Sequence, residues 1–206
     1  MNKDKQIRIF DRQAGQYEKK KEPESLRQWR QKLLQHASGH VLELAVGAGA
    51  NFPFYPAGVQ ITATDFSAEM LKKATKAAEQ YRTQVEFMLS DINELEFAEH
   101  SFDTIVSTLS FCSYKEPLKV LEKLRKWCKP SGEILLLEHG ISSNMAFSVG
   151  QKILNPLLYR LIGCHHTRNM IDLVNQSGLK ITKTESHWLG CIDLIWAKPP
   201  NASTLG

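Results

Sequence analysis

A glycine turn between two carboxylates is the feature of this sequence best suited to bind a ligand. An apolar run contains Glu43 and ends in the turn Gly47-Ala48-Gly49. The next apolar run ends at Asp65. Glycines let a backbone approach a ligand closely, and an acid at the end of the second strand can bridge the two hydroxyls of a ribose. The pattern predicts a nucleoside cofactor, with an ordinary turn between a strand and a helix as the alternative.

Two other phosphate-binding patterns are excluded by the residues around this turn. The dinucleotide fingerprint has a third glycine three residues after the second, and Phe52 occupies that position. A Walker loop continues with Gly-Lys-Ser or Gly-Lys-Thr, which does not follow here. The first departure argues against NAD or FAD, and the second excludes a Walker phosphate loop.

The elements that would position this turn alternate along the chain. Helical patterns begin at Ser67, a suitable N-cap, and at Pro117, a suitable first helical residue. Strand alternating with helix predicts a parallel sheet that binds its ligand at the carboxyl ends of the strands. Strand-like runs are expected at about 40–46, 59–65, 84–90, 101–108, 132–138, 179–186 and 191–198.

The last two of these runs differ from the others in their connection. Only a short turn at Leu189-Gly190 joins them, which is too short for a parallel crossover and therefore predicts an antiparallel hairpin. The expected fold is an α/β, doubly wound domain with a seven-stranded, mostly parallel sheet. Residues 1–36 are expected to add a helical cap, broken near Pro23.

The composition is that of one globular domain over residues 1–206. The chain is 42% hydrophobic and 23% charged, with a net charge of +4, too small an excess to indicate a nucleic-acid partner. Its four cysteines form no Cys-x-x-Cys pair and are expected to be reduced thiols. No apolar run approaches the roughly 18 residues of a membrane span, and no signal peptide is recognisable. These features predict a cytoplasmic protein.

The glycine turn also carries a family resemblance. Its residues Glu43-x-Ala45-x-Gly47-x-Gly49-x-Asn51 resemble the Glu-x-Gly-x-Gly-x-Gly motif of class I methyltransferases that use S-adenosyl-L-methionine. Ala45 and Asn51 stand where that motif has glycine. The resemblance implies a Rossmann-like fold, the five residues as part of the cofactor site, and S-adenosyl-L-homocysteine as the product.

Further segments resemble this family along most of the chain. In Thr64 to Leu71, the resemblance implies that Asp65 bridges the ribose hydroxyls and that Phe66 and Met70 lie near adenine. In Ser90-Asp91-Ile92, it implies that Asp91 accepts from the adenine amino group while the Ile92 backbone contacts the ring. Core packing is the alternative for Met70, and a helix N-cap is the alternative for Asp91.

Two further contacts are implied at the methionine end of the cofactor. Thr108 emerges from the fourth strand where that part would lie. The segment Phe10 to Tyr17 resembles one that covers the cofactor in small-molecule methyltransferases, so Tyr17 would lie over the methionyl end. Attachment of the helix to the domain is the alternative for Tyr17.

The acceptor is expected under residues 140–178, a helical insert after the fifth strand. Its first half is rich in Leu, Ile, Met and Phe and is too apolar for a solvated surface helix. A lid over an apolar acceptor pocket is the favoured interpretation. A membrane-surface patch and an extra core helix are the alternatives.

The acceptor class is suggested by a second resemblance. Leu137-Glu138-His139, followed by Gly163-Cys164-x-x-Thr167-Arg168, resembles small membrane-associated methyltransferases of alkyl thiols. More loosely, the chain resembles ubiquinone and menaquinone C-methyltransferases and phospholipid N-methyltransferases. The hypothesis is methyl transfer to a small, largely apolar acceptor such as an alkyl thiol. Transfer to a quinone, a phenol or a phospholipid, and non-catalytic cofactor binding, are the alternatives.

Other partner classes are less well supported by the residues. A nucleic-acid methyltransferase would carry Asn/Asp-Pro-Pro-Tyr/Phe after the fourth strand, and Ser107 to Phe111 lack it. The lysine-rich start around Lys19 to Lys21 leaves a peripheral membrane contact open. The oligomeric state is left open.

Histidines supply the remaining candidate chemistry. His139 follows a strand at the ligand edge and is the candidate base for a thiol or hydroxyl proton, with a core hydrogen bond as the alternative. No metal site is expected, because the adjacent His165 and His166 rarely face one ion and no Cys/His pairing completes a tetrahedron.

Overall fold

The computed structural model describes residues 3–17 and 22–200 of the chain. Its helices are α1 Lys3–Tyr17, α2 Glu24–Leu34, α3 Ala68–Tyr81, α4 Pro117–Trp127, α5 Met145–Ile162 and α6 Met170–Gln176. Its strands are β1 His40–Leu44, β2 Gln60–Asp65, β3 Val85–Leu89, β4 Phe102–Thr108, β5 Cys128–His139, β6 Lys180–His187 and β7 Ile192–Lys198. Short 3-10 helices follow β1 at Phe52–Phe54 and β4 at Phe111–Ser113.

The seven strands form one sheet in the order β3-β2-β1-β4-β5-β7-β6. Neighbouring strands from β3 to β5 pair in parallel, whereas β7 pairs antiparallel with both β5 and β6. The predicted parallel sheet with a closing antiparallel hairpin is confirmed. The chain order reverses at β1 and β4, whose carboxyl ends are where such sheets bind ligands.

Both faces of the sheet are buried at its inner strands β1, β4, β5 and β7, which explains their nearly continuous apolar runs. Along β5, Ile134 and Leu136 join a core with residues of α4 and α6. Leu135 and Leu137, pointing the opposite way, join a second core with residues of α2 and α3. The sheet is therefore a rigid frame between two apolar layers.

Local signals begin the helices as predicted. The Ser67 hydroxyl accepts a hydrogen bond of 3.1 Å from the Met70 amide at the start of α3. Pro117 is the first residue of α4. The helical pattern predicts an apolar face of Met70, Leu71, Ala74 and Ala78; the structure buries three of these residues and leaves Leu71 partly buried.

Three boundaries differ from the sequence expectations. β1 ends at Leu44, before the predicted Val46, because Ala45 turns into the left-handed region with φ of 48°. β5 begins at Cys128 rather than at 132, and its early residues pair with β4 across a register shift. The expected insert 140–178 is divided, since Met170 and Val174 of α6 are fully buried in the core.

Candidate functional site

The glycine turn and Asp65, the acid that ends β2, are linked by a hydrogen bond. The Gly47 amide donates to one oxygen of Asp65 at 2.9 Å, and the Ser67 amide donates to the other at 2.8 Å. Each carboxylate oxygen has a second lone pair, so these bonds leave acceptor capacity for a ligand. Asp65 is 6% exposed, and burial raises its pKa while the Ser67, Gly47 and Phe66 amides lower it.

A buried polar network lies behind the turn. Asn51 donates to Glu43 at 2.8 Å, and the Tyr55 hydroxyl donates to the other Glu43 oxygen at 2.8 Å. Arg30 donates to Asn51 and to Thr108, in both cases at 2.7 Å. The side chains of Glu43, Asn51 and Thr108 thus bond to protein groups that link β1, β4 and α2.

Burial dominates the protonation of Glu43. It raises the pKa of this carboxyl from 4.5 to about 7, against hydrogen bonds from Tyr55 and Asn51 that lower it. The Arg30 guanidinium also lowers it and is itself paired with Glu22 at 2.9 Å. The network therefore holds a carboxyl that can be neutral near neutral pH.

An open pocket of about 590 Å³ lies beside Asp65, and part of this volume is solvent. Several residues assigned from the sequence line it, namely Ala45, Asp65, Phe66, Asp91 and Ile92. Further lining residues were not singled out from the sequence, namely Gln6, Leu44, Thr64, Ser90, Asn93, Ser113, Tyr114 and Lys115. Gly47, Gly49 and Met70 are absent from the lining. Met70 is 2% exposed, in agreement with core packing.

Asp91 adopts the geometry of a turn. One carboxylate oxygen accepts from the Asn93 amide at 2.9 Å and from the Asn93 side chain at 2.8 Å. The following residues form a turn rather than a helix, so the N-cap alternative becomes an Asx turn.

Helix α1 covers one side of the pocket. Gln6 donates to the Ser113 carbonyl at 3.1 Å, and the Ser67 hydroxyl donates to Asp11 at 2.5 Å. Phe10 packs edge-on against Phe66, with ring centroids 5.3 Å apart. The Tyr17 backbone belongs to α1, but its side chain lies outside the described part, so its contact with the cofactor stays a prediction.

A second buried acid fixes the turn after β4. Glu138 accepts from the Ser107 hydroxyl at 2.8 Å and from the amides of Ser110 and Phe111 at 2.9 and 3.1 Å. Burial raises its pKa to about 7. Arg168 donates to the carbonyls of Phe111 and Tyr114 and ties the segment after α5 to the same turn.

Cysteine and histidine side chains meet beside this turn, a contact that the spacing of these residues in the sequence does not indicate. Cys112, His139 and Cys164 each bring one potential ligand atom within 4.8 Å of the others. Chain spacing could not reveal this group, because it joins the ends of β4, β5 and α5. His166 stacks on His139, with ring centroids 4.7 Å apart. His165 stacks instead on Tyr159 at 3.9 Å.

The two thiols of this group are electrostatically unequal. A hydrogen bond from Cys112, together with His139 and His166, lowers the pKa of Cys164 although burial opposes the shift. The same contact with Cys164, and burial, raise the pKa of Cys112. Cys164 is therefore the thiol of the pair that loses its proton first.

Helix α5 lies on the surface, which excludes the core-helix alternative because none of its residues is buried. It also borders a groove against α1 that includes Lys5, Pro156 and His165. Among the described residues, no helix is long and apolar enough to cross a membrane. The exposed large apolar residues of α5 are Met145, Phe147, Val149, Ile153, Leu154, Leu157 and Leu161.

Two polar residues of the site occupy positions in the sequence where an apolar residue is expected. Arg30 lies at helical spacing between Leu26 and Leu33 on the apolar face of α2, where a charge is unusual. Glu138 ends the apolar run of β5 as Glu43 interrupts that of β1. A carboxylate within a buried strand indicates a fixed polar partner in each case.

Comparisons with known proteins find methyltransferases. Residues 42–136 match the model of a methyltransferase domain. A thiol S-methyltransferase, TMT1B of Rattus norvegicus, is 35% identical over 133 residues, 62% of this chain and 54% of that protein. A phosphatidylethanolamine N-methyltransferase of Cereibacter sphaeroides is 34% identical over 103 residues, 49% of this chain and 51% of that protein. The chain thus spans about half the length of these curated relatives.

A solved structure shows the same fold. The crystal structure of a SAM-dependent methyltransferase from Aquifex aeolicus superposes with a TM-score of 0.63 at 18% identity. The match covers 91% of this chain and 98% of that one.

Proposed function

Because the chain belongs to the class I methyltransferases that use S-adenosylmethionine, we propose that it transfers a methyl group from this cofactor to a small, largely apolar acceptor. The observation that carries the proposal is the bond between the Gly47 amide and Asp65 at the edge of an open pocket. An alkyl thiol is the acceptor class we favour. The name of the rat relative and the Gly163 to Arg168 segment support this choice.

Asp65 and Asp91 are the proposed recognition groups for the adenosine part. The free lone pairs of Asp65 would accept from the ribose hydroxyls, and Asp91 would accept from the adenine amino group. Phe66 and Ile92 line the same pocket and would pack against the base. Glu43, Asn51 and Thr108 would hold the glycine turn in place through their hydrogen bonds. Not all three side chains would contact the cofactor.

The chemistry demands alignment more than proton transfer. The bound cofactor supplies an activated sulfonium methyl group. The protein must place the acceptor in line with it and exclude water. His139 ends β5 at the same edge of the sheet and is the proposed group that assists ionisation of the acceptor.

Other acceptors and a peripheral membrane contact belong to the same proposal. A quinone, a phenol or a phospholipid would also suit an apolar site, and the bacterial relative is named for a phospholipid substrate. The exposed apolar residues of α5 support contact with a lipid surface. This helix carries Lys152 and Arg160 and no acidic residue, which favours anionic lipids.

A two-step experiment tests the function. Calorimetry with S-adenosylhomocysteine first measures cofactor binding. A methyl-transfer assay against alkyl thiols, phenols, quinones and phospholipids then identifies the acceptor class, with the Asp65→Ala variant as the background. Transfer to thiols is the expected outcome. Transfer only to quinone carbon or phospholipid nitrogen contradicts the thiol assignment, and cofactor binding without any transfer would favour a non-catalytic binding protein.

A further inference from the structure

Three separate segments place two cysteines and a histidine in one group. Cys112 lies in the 3-10 helix after β4, His139 ends β5, and Cys164 follows α5. One potential ligand atom from each lies within 4.8 Å of the other two. In a tetrahedral zinc site with Zn–S bonds of about 2.3 Å, neighbouring ligand atoms are about 3.5–3.8 Å apart. Side-chain adjustments of about 1 Å or less would therefore bring these atoms to bonding geometry.

Outside the group itself, the hydrogen bond found for each sulfur atom is a weak one to a backbone carbonyl. The sulfur of Cys112 lies 3.8 Å from the Leu109 carbonyl, and the sulfur of Cys164 lies 3.8 Å from the Ile162 carbonyl. The Nδ1 atom of His139 is buried without a hydrogen-bond partner among the described residues. A buried polar atom without a partner destabilises the fold and calls for an explanation such as a bound ion.

The backbone around the group is held firmly. The His165 amide donates to the Cys112 carbonyl at 2.9 Å and fixes the two cysteine segments side by side. Arg168 and Glu138 hold the turn that carries Cys112. Gln151 donates to the carbonyls of Gly140 and His166 at 3.1 and 3.2 Å. Such support limits the reorganisation that a metal ion would require.

We propose that Cys112, His139 and Cys164 bind one Zn²⁺ ion and that its fourth coordination position takes the sulfur of a thiol acceptor. Two thiolates and one imidazole are a ligand set that zinc uses, and three protein ligands leave the open position typical of a catalytic site. The second half of this inference rests on the proposed methyl transfer, whereas the zinc site stands on the geometry alone.

The location of the group fits methyl transfer. Ser113 and Tyr114, which follow Cys112 directly, line the pocket beside Asp65. An acceptor held at the zinc would therefore lie at the same edge of the sheet as the cofactor. His139 would then act through the metal rather than as a proton acceptor.

The step balances without a redox partner. The acceptor thiol loses its proton to solvent when its sulfur binds the zinc, since the ion favours the thiolate. The sulfur then attacks the methyl carbon, and a new S–C bond forms as the sulfonium S–CH₃ bond breaks. The electron pair of the broken bond stays on the cofactor sulfur and gives S-adenosylhomocysteine. The methylated acceptor, now a neutral thioether, is a weaker ligand than a thiolate and can leave.

Metal loading tests the site without any activity measurement. The full chain is purified under reducing conditions, stripped with a chelator, and titrated with Zn²⁺ or Co²⁺. Elemental analysis gives the zinc content, and visible absorption of the cobalt form reports thiolate ligands. We expect one equivalent per chain. The Cys112→Ser and Cys164→Ser variants should weaken zinc binding beyond the roughly 10- to 100-fold that changes in hydrogen bonds around metal ligands cause.

Cys191→Ser is the matched control. Its sulfur lies 4.0 Å from Gln151 Nε2, near the site, but it does not belong to the group. This variant should bind zinc like the original chain. Cys112 is buried, so its replacement can destabilise the fold, and thermal melting is used to check that each variant is folded. If Cys112→Ser unfolds, the test uses Cys164→Ser alone. No stoichiometric zinc in the original chain, or zinc retained in Cys164→Ser, would overturn the site.

The role of the open position is tested separately. Adding an alkyl thiol to the cobalt form should change its absorption spectrum, and a phenol of similar size should not. An unchanged spectrum contradicts acceptor binding at the metal. If the metal-free chain still binds S-adenosylhomocysteine and methylates thiols at the full rate, the zinc role is wrong while the proposed function stands. If zinc binds but S-adenosylhomocysteine does not, the proposed function fails and the metal site remains.

Discussion

The Gly47 amide donates a hydrogen bond of 2.9 Å to the Asp65 carboxylate, so the glycine turn and the acid that ends β2 form one unit. The turn follows β1 and the acid ends β2, two strands that pair in parallel. A ligand that binds Asp65 therefore meets the turn at a fixed distance. Gly47 contributes a backbone amide to this unit and Asp65 contributes a side chain. Substitutions at the two positions therefore test different parts of it.

Replacement of Asp65 should weaken cofactor binding. Asp65→Ala removes two charge-assisted hydrogen bonds to the ribose, each worth roughly 1.5–3 kcal/mol. The expected loss of affinity for S-adenosylhomocysteine is at least about tenfold, measured by calorimetry. Asp103→Ala is the control, since Asp103 bonds to Lys129 and the His40 amide outside the pocket. Equal affinities in the two variants would refute the ribose assignment.

The two glycines of the turn should respond differently to alanine. A Cβ at Gly49 would lie 2.6 Å from a ring carbon of Phe52, in a backbone with φ of 81°. We expect Gly49→Ala to lower the free energy of unfolding by roughly 2–5 kcal/mol, from strain and overpacking together. A Cβ at Gly47 would meet only the Ala45 carbonyl oxygen, at 4.0 Å.

Gly47→Ala should therefore cost only the roughly 1–2 kcal/mol of backbone strain and remain folded. Because the added methyl group would occupy space beside the ligand, we expect its affinity for S-adenosylhomocysteine to fall by at least about tenfold. Denaturant unfolding and calorimetry on both variants separate the two effects. A Gly47→Ala variant with unaltered affinity would show that the turn does not approach the cofactor closely.

The fold could be predicted because several sequence patterns agree. Apolar runs separated by helical patterns predicted the parallel sheet, and the short Leu189-Gly190 link predicted the closing hairpin. The end of β1 was misplaced because Ala45, a residue that rarely adopts a positive φ, does so here. The buried polar partners were harder to predict, since Arg30 lies far from Asn51 in sequence and their contact depends on how α2 packs.

The candidate site was predicted where local motifs define it. Asp65 ends β2 and Phe66 follows it, Asp91 and Ile92 lie just after β3, and all four residues line the pocket. The group of Cys112, His139 and Cys164 was not predicted because its members lie in three segments that are distant in the sequence. Sequence spacing carries no information about side chains that meet only after the sheet and α5 are assembled.

Burial of Glu43 should make stability depend on pH. Its pKa is about 7 in the folded chain and near 4.5 when exposed, so the folded state holds more protons between these values. The free energy of unfolding should therefore fall as the pH rises through this window. In Glu43→Gln the fall between pH 5 and pH 8, measured by urea unfolding, should be smaller by roughly 2–3 kcal/mol.

Glu86→Gln serves as the control for this measurement, because Glu86 is exposed on β3. It should leave the pH dependence unchanged. A Glu43→Gln variant with the same pH dependence as the original chain would mean that Glu43 is ionised throughout, held by the Arg30 guanidinium and the hydrogen bonds of the network.

The apolar face of α5 should bind lipid membranes. Ile153 and Leu157 are 72% and 56% exposed and lie one turn apart on the helix. Inserting each side chain into the acyl boundary would contribute roughly 1.5–3 kcal/mol, and Lys152 and Arg160 would add about 1 kcal/mol each near anionic lipids. The double variant Ile153→Glu/Leu157→Glu should therefore bind anionic vesicles at least about tenfold more weakly in a sedimentation assay.

Leu89→Glu is the control, because Leu89 is 61% exposed on β3 but belongs to a different surface. Vesicle binding that is equally strong in the double variant and the control would exclude α5 as the contact, and loss of binding in high salt alone would assign the contact to the charges.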